Sequence, residues 1–193
     1  MERIVDVVYR ISFRILCDRV DSEDVTRRVL SDARHRGVVF DGSEAVTDWF
    51  VRQACLRCRR RIVSRRVLWL LEERSAVFVR ASPRVEEHDD YVTKQAWQVY
   101  CRAVFGMPPM WTISYVLCAL EDFSTDRAAS VLKQSRARVE RNLEKATASI
   151  RAELAVYGSA GLYRNFVSFI RRVDEAKKPQ AADLLKEYSD SAL

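Results

Sequence analysis

Five side chains between positions 136 and 145 carry the chemistry most easily named in this sequence. They are Arg136, Arg138, Arg141, Asn142 and Lys145. An arginine fork can bracket a guanine edge, an asparagine can bracket adenine, and all of these groups can hold phosphate oxygens. The flanking pattern makes them one face of a helix. Val139, Leu143, Ala146 and Ile150 recur at spacings of four, three and four, which is the spacing of a buried stripe. Ahead of them Ser124 is a good N-cap for a short helix carrying Ala128, Ala129, Val131 and Leu132. Lys133-Gln134-Ser135 then forms a turn, with Ser135 as the second cap. The arrangement predicts a helix-turn-helix, whose second helix can enter a DNA major groove. Glu140 and Glu144 lie between the basic groups and would weaken phosphate attraction. The same pattern also describes a plain helical hairpin with a solvated face.

A second basic run offers different chemistry. Arg52, Arg57, Arg59, Arg60, Arg61, Arg65 and Arg66 crowd one segment, and Phe40 and Trp49 lie just before it. Arginines beside aromatic faces suit single-stranded nucleic acid, in which unstacked bases need a platform. Arg59-Arg60-Arg61 points in several directions around a helix and has no acids beside it in sequence to pair with. A polyanion is therefore its expected partner.

Other chemistries find little support. Cys55 and Cys58 form a CxxC, but His35 and His88 have no ligand spacing and the pair sits mid-helix. No glycine-rich phosphate loop or nucleophile elbow is present. The sequence predicts no catalytic residue, no metal and no cofactor, and so no enzyme. Five cysteines without regular spacing do not make a disulfide framework, and they fit a reducing compartment. Charges interrupt every apolar run well before ~18 residues, so no membrane span is expected, and the cytoplasm is the default.

The elements that must position these groups are helices. The chain has 193 residues, with only five Gly and four Pro, and 48% of it is hydrophobic. That argues for long helices around real cores. Lys plus Arg outnumber Asp plus Glu by 33 to 27, a net charge of +6 that favours an anionic partner. Helical patterns cover 3–17, a segment starting at Asp21 as cap and running to about 34, Thr47 to about Arg61, and 91–106. Further patterns cover 110–121, 125–132, 136–155 and part of 160–190. Glycines mark 37–43 as a loop, and Ser82-Pro83 with Glu86, Glu87, Asp89 and Asp90 breaks the pattern. The expected fold is all-α, with two small helical domains. Residues 1–66 form the first, 67–106 a linker and 107–157 the second, which contains the helix-turn-helix; 158–193 are a helical extension of unknown role.

The order of these pieces resembles the extracytoplasmic-function subfamily of bacterial sigma factors, in divergent form. Ser12-Phe13-Arg14-Ile15-Leu16-Cys17-Asp18 followed by Asp21-Ser22-Glu23-Asp24-Val25 is similar to the family stretch whose helix docks on the polymerase clamp. Phe40-Asp41-Gly42-Ser43 and Trp49-Phe50-Val51-Arg52-Gln53-Ala54 resemble the loop and helix that hold a flipped base of the −10 element. Met107-Pro108-Pro109, Glu121-Asp122-Phe123-Ser124, Ala129, Val131-Leu132, Val139 and Leu143 resemble the domain that reads the −35 element. The matches span about 8–61 and 107–150. The chain departs from the family pattern at Arg27-Arg28, Leu56, Lys133 and Glu140.

The resemblance implies a factor that directs RNA polymerase to promoters and aids their opening. Its implied partners are core RNA polymerase, promoter DNA and an anti-sigma factor. Asp21, Glu23, Asp24 and Arg27 would meet polymerase. Phe40, Asp41, Ser43, Trp49, Arg52, Arg57, Arg59, Arg60 and Arg61 would meet the −10 element. Arg136, Arg138, Arg141, Asn142 and Lys145 would meet the −35 element. Two other readings fit the same helices: a stand-alone helix-turn-helix regulator, and a sigma-like adaptor that binds a protein and no DNA.

Overall fold

The structure is a computed structural model and describes residues 1–72, 91–156 and 166–171. The described residues are all-helical, as the composition predicts. The acidic stretch Glu86–Asp90 and most of the C-terminal extension lie outside them. No helix among the described residues is long and apolar enough to cross a membrane.

Helix α1 spans Glu2–Leu16 and stops at Cys17, whose backbone is left-handed at φ 52° and whose N–H closes on the Phe13 carbonyl. That single closing bond is a common way to satisfy the last carbonyls of a helix. The chain then extends through Asp18, which caps α2 (Arg19–His35) by accepting from Asp21 N–H at 2.8 Å. The cap is therefore Asp18, not Asp21 as the sequence suggested. Cys17 ends α1 early enough for α2 to start one turn sooner, and this frees Asp21 for another partner.

Helix α3 (Glu44–Glu72) begins after Ser43, whose hydroxyl accepts from Val46 N–H at 3.3 Å. It runs well beyond Arg61, into the segment expected to be a linker. The other described part of that segment is helix α4 (Tyr91–Gly106). Ala96, Trp97, Val99, Tyr100, Cys101, Ala103 and Val104 of α4 are all buried, so this part of the segment belongs to the core.

Pro108 precedes α5 (Pro109–Tyr115), which continues into a π-helical turn at Val116–Leu120. Helices α6 (Thr125–Leu132) and α7 (Arg136–Val156) follow. Residues 166–171 are helical and bury Phe166 and Ile170.

Helices α1, α2 and α3 pack on one another, and α4, α5 and α6 each pack on α7. The two groups also meet directly, through α1 with the π turn and through α3 with α5 and α6. An aromatic seam crosses the boundary. Phe13 stacks on Trp97 with centroids 5.1 Å apart, and Trp97 lies 5.5 Å from Tyr100. The buried Tyr100 hydroxyl donates to the Arg14 carbonyl at 2.7 Å. Burial pushes the Tyr100 phenol well above its usual pKa, so it stays a donor.

Candidate nucleic-acid interface

The 124–145 region is built as its local sequence requires. The Ser124 hydroxyl accepts from Arg127 N–H at 3.1 Å and caps α6. The helix closes at Lys133, left-handed at φ 53°, where Lys133 N–H bonds the Ser130 carbonyl and Gln134 N–H the Ala129 carbonyl. This pair of bonds is a Schellman closure, usually given to glycine. After Gln134 and Ser135, α7 begins, and the Ser135 carbonyl accepts from Arg138 and Val139 N–H. Val139, Ala146, Ile150 and Leu154 are buried and Leu143 is half-buried, so the stripe faces α5 and α6.

The five expected readers on α7 do not share one environment. Arg138 and Arg141 are exposed and make no ion pair among the described residues. Arg136 bonds Glu140 at 2.7 Å and Asp126 at 3.3 Å, and these acids raise the pKa of its guanidinium further. Lys145 is exposed, with its ammonium 5.3 Å from the Trp111 ring centroid. Asn142 is half-buried, and its Nδ2 is a buried donor with no protein partner. Glu140, expected to oppose phosphate, is already held by Arg136.

Phe40, in the loop before α3, and Trp49, within α3, are half-covered. Phe40 lies 5.1 Å from Phe50, and Trp49 meets Phe50 edge-on at 5.0 Å. Gly42 has φ 75°, a conformation that glycine adopts without strain. Asp41 is exposed and accepts from Ser43 N–H at 2.8 Å, and hydrogen bonding from Ser43 holds its carboxyl below the usual range.

The arginine run corrects the sequence reading, which found no acids to pair with it. The acids come from α2, and α2 lies against α3. Arg57 pairs with Asp32. Arg61 donates twice to Asp21, at 2.9 and 2.6 Å, and lies 3.6 Å from Asp24. Arg65 pairs with Asp21, reaches Asp18 at 3.4 Å, and donates to the Leu16 carbonyl at 3.3 Å. Arg52 donates to the Val131 carbonyl at 3.2 Å, and Arg66 donates to the Phe105 carbonyl at 3.0 Å and to that of Met107. Only Arg59 and Arg60 of the run are exposed and unpaired among the described residues.

The residues expected to meet polymerase divide likewise. Asp21 is buried beneath Arg61 and Arg65. Glu23 pairs with Arg19 at 2.9 Å and Arg27 at 3.4 Å, and Asp24 pairs with Arg28 at 2.9 Å. Glu23 and Asp24 are half-exposed and Arg27 is exposed.

The pairings of three groups escaped the sequence reading. Glu121 is 4% exposed and accepts from Arg10 at 2.9 and 2.6 Å and from Arg14 at 2.7 Å. Arg14, itself 4% exposed, also donates to the Leu120 carbonyl at 2.8 Å. Arg127 bonds Asp48 at 2.7 Å and Glu44 at 2.8 Å, with its guanidinium 4.2 Å from the Phe123 ring centroid. One signal was available. Arg14 is the single charged residue in the otherwise largely apolar run 11–17, where a lone charge is too costly to bury.

Cys55 and Cys58 are buried, and burial pushes the Cys58 thiol up to about 12 and the Cys55 thiol well up too. Neither is an activated nucleophile. Among the described residues no group of three or more His, Cys, Asp or Glu could hold a metal ion. No protein-family model matches the chain, and no curated protein matches it in sequence.

Proposed function

We propose that this chain is a non-enzymatic transcription initiation factor of the sigma type. It binds core RNA polymerase, directs it to promoters, and holds unpaired promoter bases. The observation that carries this reading is the free pair Arg138 and Arg141 on α7. Every apolar side chain of that helix's stripe is turned the other way, so the helix can enter a groove without losing its packing.

In this reading α7 lies in the −35 major groove and the two arginines meet base edges or phosphates. The 37–43 loop and Trp49 receive an unpaired −10 base, and Arg59 and Arg60 hold backbone phosphates. Glu23, Asp24 and Arg27 on the outer side of α2 meet the polymerase clamp, while Arg61 and Arg65 fix the helix from behind through Asp21. Binding energy drives promoter opening, because extruded bases are held in the melted state. Residues 1–66 and 107–157 act as two DNA-binding units, and such a factor works in the bacterial cytoplasm.

A second reading has its own observation. Five of the seven arginines between 52 and 66 already have protein partners. That lowers the number of phosphate contacts and favours an adaptor that binds a protein without DNA.

The test is capture by purified core RNA polymerase, followed by transcription from a promoter library. Capture with initiation at a shared −35/−10 pattern supports the initiation factor. Capture without initiation supports the adaptor. No capture overturns the sigma reading.

A further inference from the structure

Three exposed cations share the open side of α7: Arg138, Arg141 and Lys145, spaced three and four apart. Arg138 and Arg141 make no ion pair among the described residues, whereas Lys145 meets a ring on another helix. Its ammonium lies 5.3 Å from the centroid of Trp111. At that range a cation is attracted to the face of an indole, the strongest of the aromatic rings in this contact.

Trp111 is fixed before the lysine reaches it. The Pro108 carbonyl accepts from Trp111 N–H at 2.9 Å and holds the residue in the first turn of α5. Helix α5 packs along α7, its Thr112, Ile113, Ser114 and Tyr115 are buried, and Trp111 is half-buried. The indole therefore belongs to the packed wall, and the flexible lysine comes to it. No acid on its own helix competes. The residues three and four positions from Lys145 are Arg141, Asn142, Ala148 and Ser149. Arg136, by contrast, is drawn aside by Glu140 at that spacing.

These contacts give α7 two unlike flanks. Asp126 of α6 and Glu140 hold Arg136 on one, and Trp111 of α5 holds Lys145 on the other. When a helix lies in a major groove, its outer face meets base edges and its flanks meet the sugar–phosphate walls. We infer that Trp111 is a positioning residue, which holds the Lys145 ammonium over the α5 flank to take a backbone phosphate at the groove wall. Lys145 is then an anchor for duplex of any sequence and not a reader of bases. Because Lys145 is exposed, the outer side of its ammonium is open, and ring and phosphate can hold it together. The ring removes in advance part of the side-chain freedom that phosphate binding would otherwise cost. The inference rests on the reading of α7 as a groove helix, and not on polymerase.

The test is fluorescence anisotropy of the full chain with labelled duplex DNA of mixed sequence. Trp111→Leu keeps apolar bulk and removes the ring, and should weaken binding about threefold, the size of one exposed cation–π contact. Trp111→Phe keeps an aromatic face and should recover part of that loss. Lys145→Ala should weaken every duplex alike and lower the slope of log affinity against log salt by about 1. With Lys145→Ala already present, Trp111→Leu should change nothing further. A tryptophan that only supports the fold would cost the same in both backgrounds, and that result overturns the proposal. Unchanged or tighter binding by Trp111→Leu overturns it too, as does a salt slope that Lys145→Ala leaves unchanged.

Should Trp111→Leu fold poorly, NMR of the wild-type chain decides. The Lys145 ε-methylene protons should lie upfield under the ring current, and should stay there as duplex is added. Protons at their ordinary position, before or after DNA binding, overturn the positioning. Absence of duplex binding by the wild-type chain overturns it as well. Polymerase capture reports separately on the initiation reading. A captured chain with equal Trp111→Leu losses in both backgrounds keeps that reading and loses the anchor. A chain that is not captured, but loses affinity only where Lys145 is present, keeps the anchor and loses that reading.

Discussion

Helices α3 and α7 are both rich in arginine, and the two use it in opposite ways. On α3 the side chains reach sideways into neighbouring elements, and Arg57, Arg61 and Arg65 join α2 to α3 through Asp32, Asp21, Asp24 and Asp18. On α7, Arg136 pairs with Asp126 and Glu140, and Arg138 and Arg141 are left to solvent. A run of basic residues therefore does not announce its task. What decides it is whether another element brings acids to the same place.

The largest test of this difference is at the buried end of the scale. Glu121→Ala leaves Arg14 enclosed without its carboxylate, and breaking such a pair costs about 3–5 kcal/mol. Urea denaturation should show that loss, and a change below about 1 kcal/mol would mean Arg14 finds water instead. Asp21→Ala comes next. It releases both Arg61 and Arg65, but Arg61 is partly exposed, so solvent screening limits the loss to about 2 kcal/mol. If Asp21→Ala proves neutral, the arginines of α3 are as free as those of α7 and the contrast between the helices collapses.

A smaller effect of opposite sign is expected at the turn ahead of α7. Lys133→Gly removes the left-handed strain at the end of α6 and should stabilise the chain by about 0.5–1 kcal/mol. A thermal melt that moves down instead would show that the lysine side chain contributes more there than the strain costs. The smallest effect on stability belongs to Arg138→Ala with Arg141→Ala, within about 0.5 kcal/mol as for other exposed sites. Its consequence should appear in duplex binding, where the slope of log affinity against log salt falls by about 2 if both arginines meet phosphates. A slope that does not change removes these two residues from the DNA-reading face.

How far the sequence foretold these outcomes follows from the range of each interaction. The α6 boundaries, the Ser124 cap and the buried stripe of α7 were legible because each depends on neighbours within about one helical turn. The all-helical class followed from glycine scarcity and apolar spacing. Asp21 was misread as a cap because two candidate acids lie three residues apart, and only the left-handed stop at Cys17 selects Asp18. The pairing of α2 with α3 was hidden because its partners lie from 25 positions apart (Arg57 and Asp32) to 47 apart (Arg65 and Asp18). The π turn was hidden too: its closing bonds run from Glu121 N–H to the Val116 carbonyl and from Phe123 N–H to that of Leu117, which apolar spacing does not reveal. For the candidate interface, sequence named the groups on α7 but not which two are free.

The pairing of Arg14 with Glu121 also has a consequence in time. The two residues are 107 positions apart. At synthesis rates of 5–20 residues per second, about 5–20 s separate the appearance of the cation from that of its carboxylate. Throughout that interval Arg14 lacks the carboxylate that it meets in the folded chain. The contact that joins α1 to Glu121 can therefore close only late in synthesis, after the first three helices have already been made.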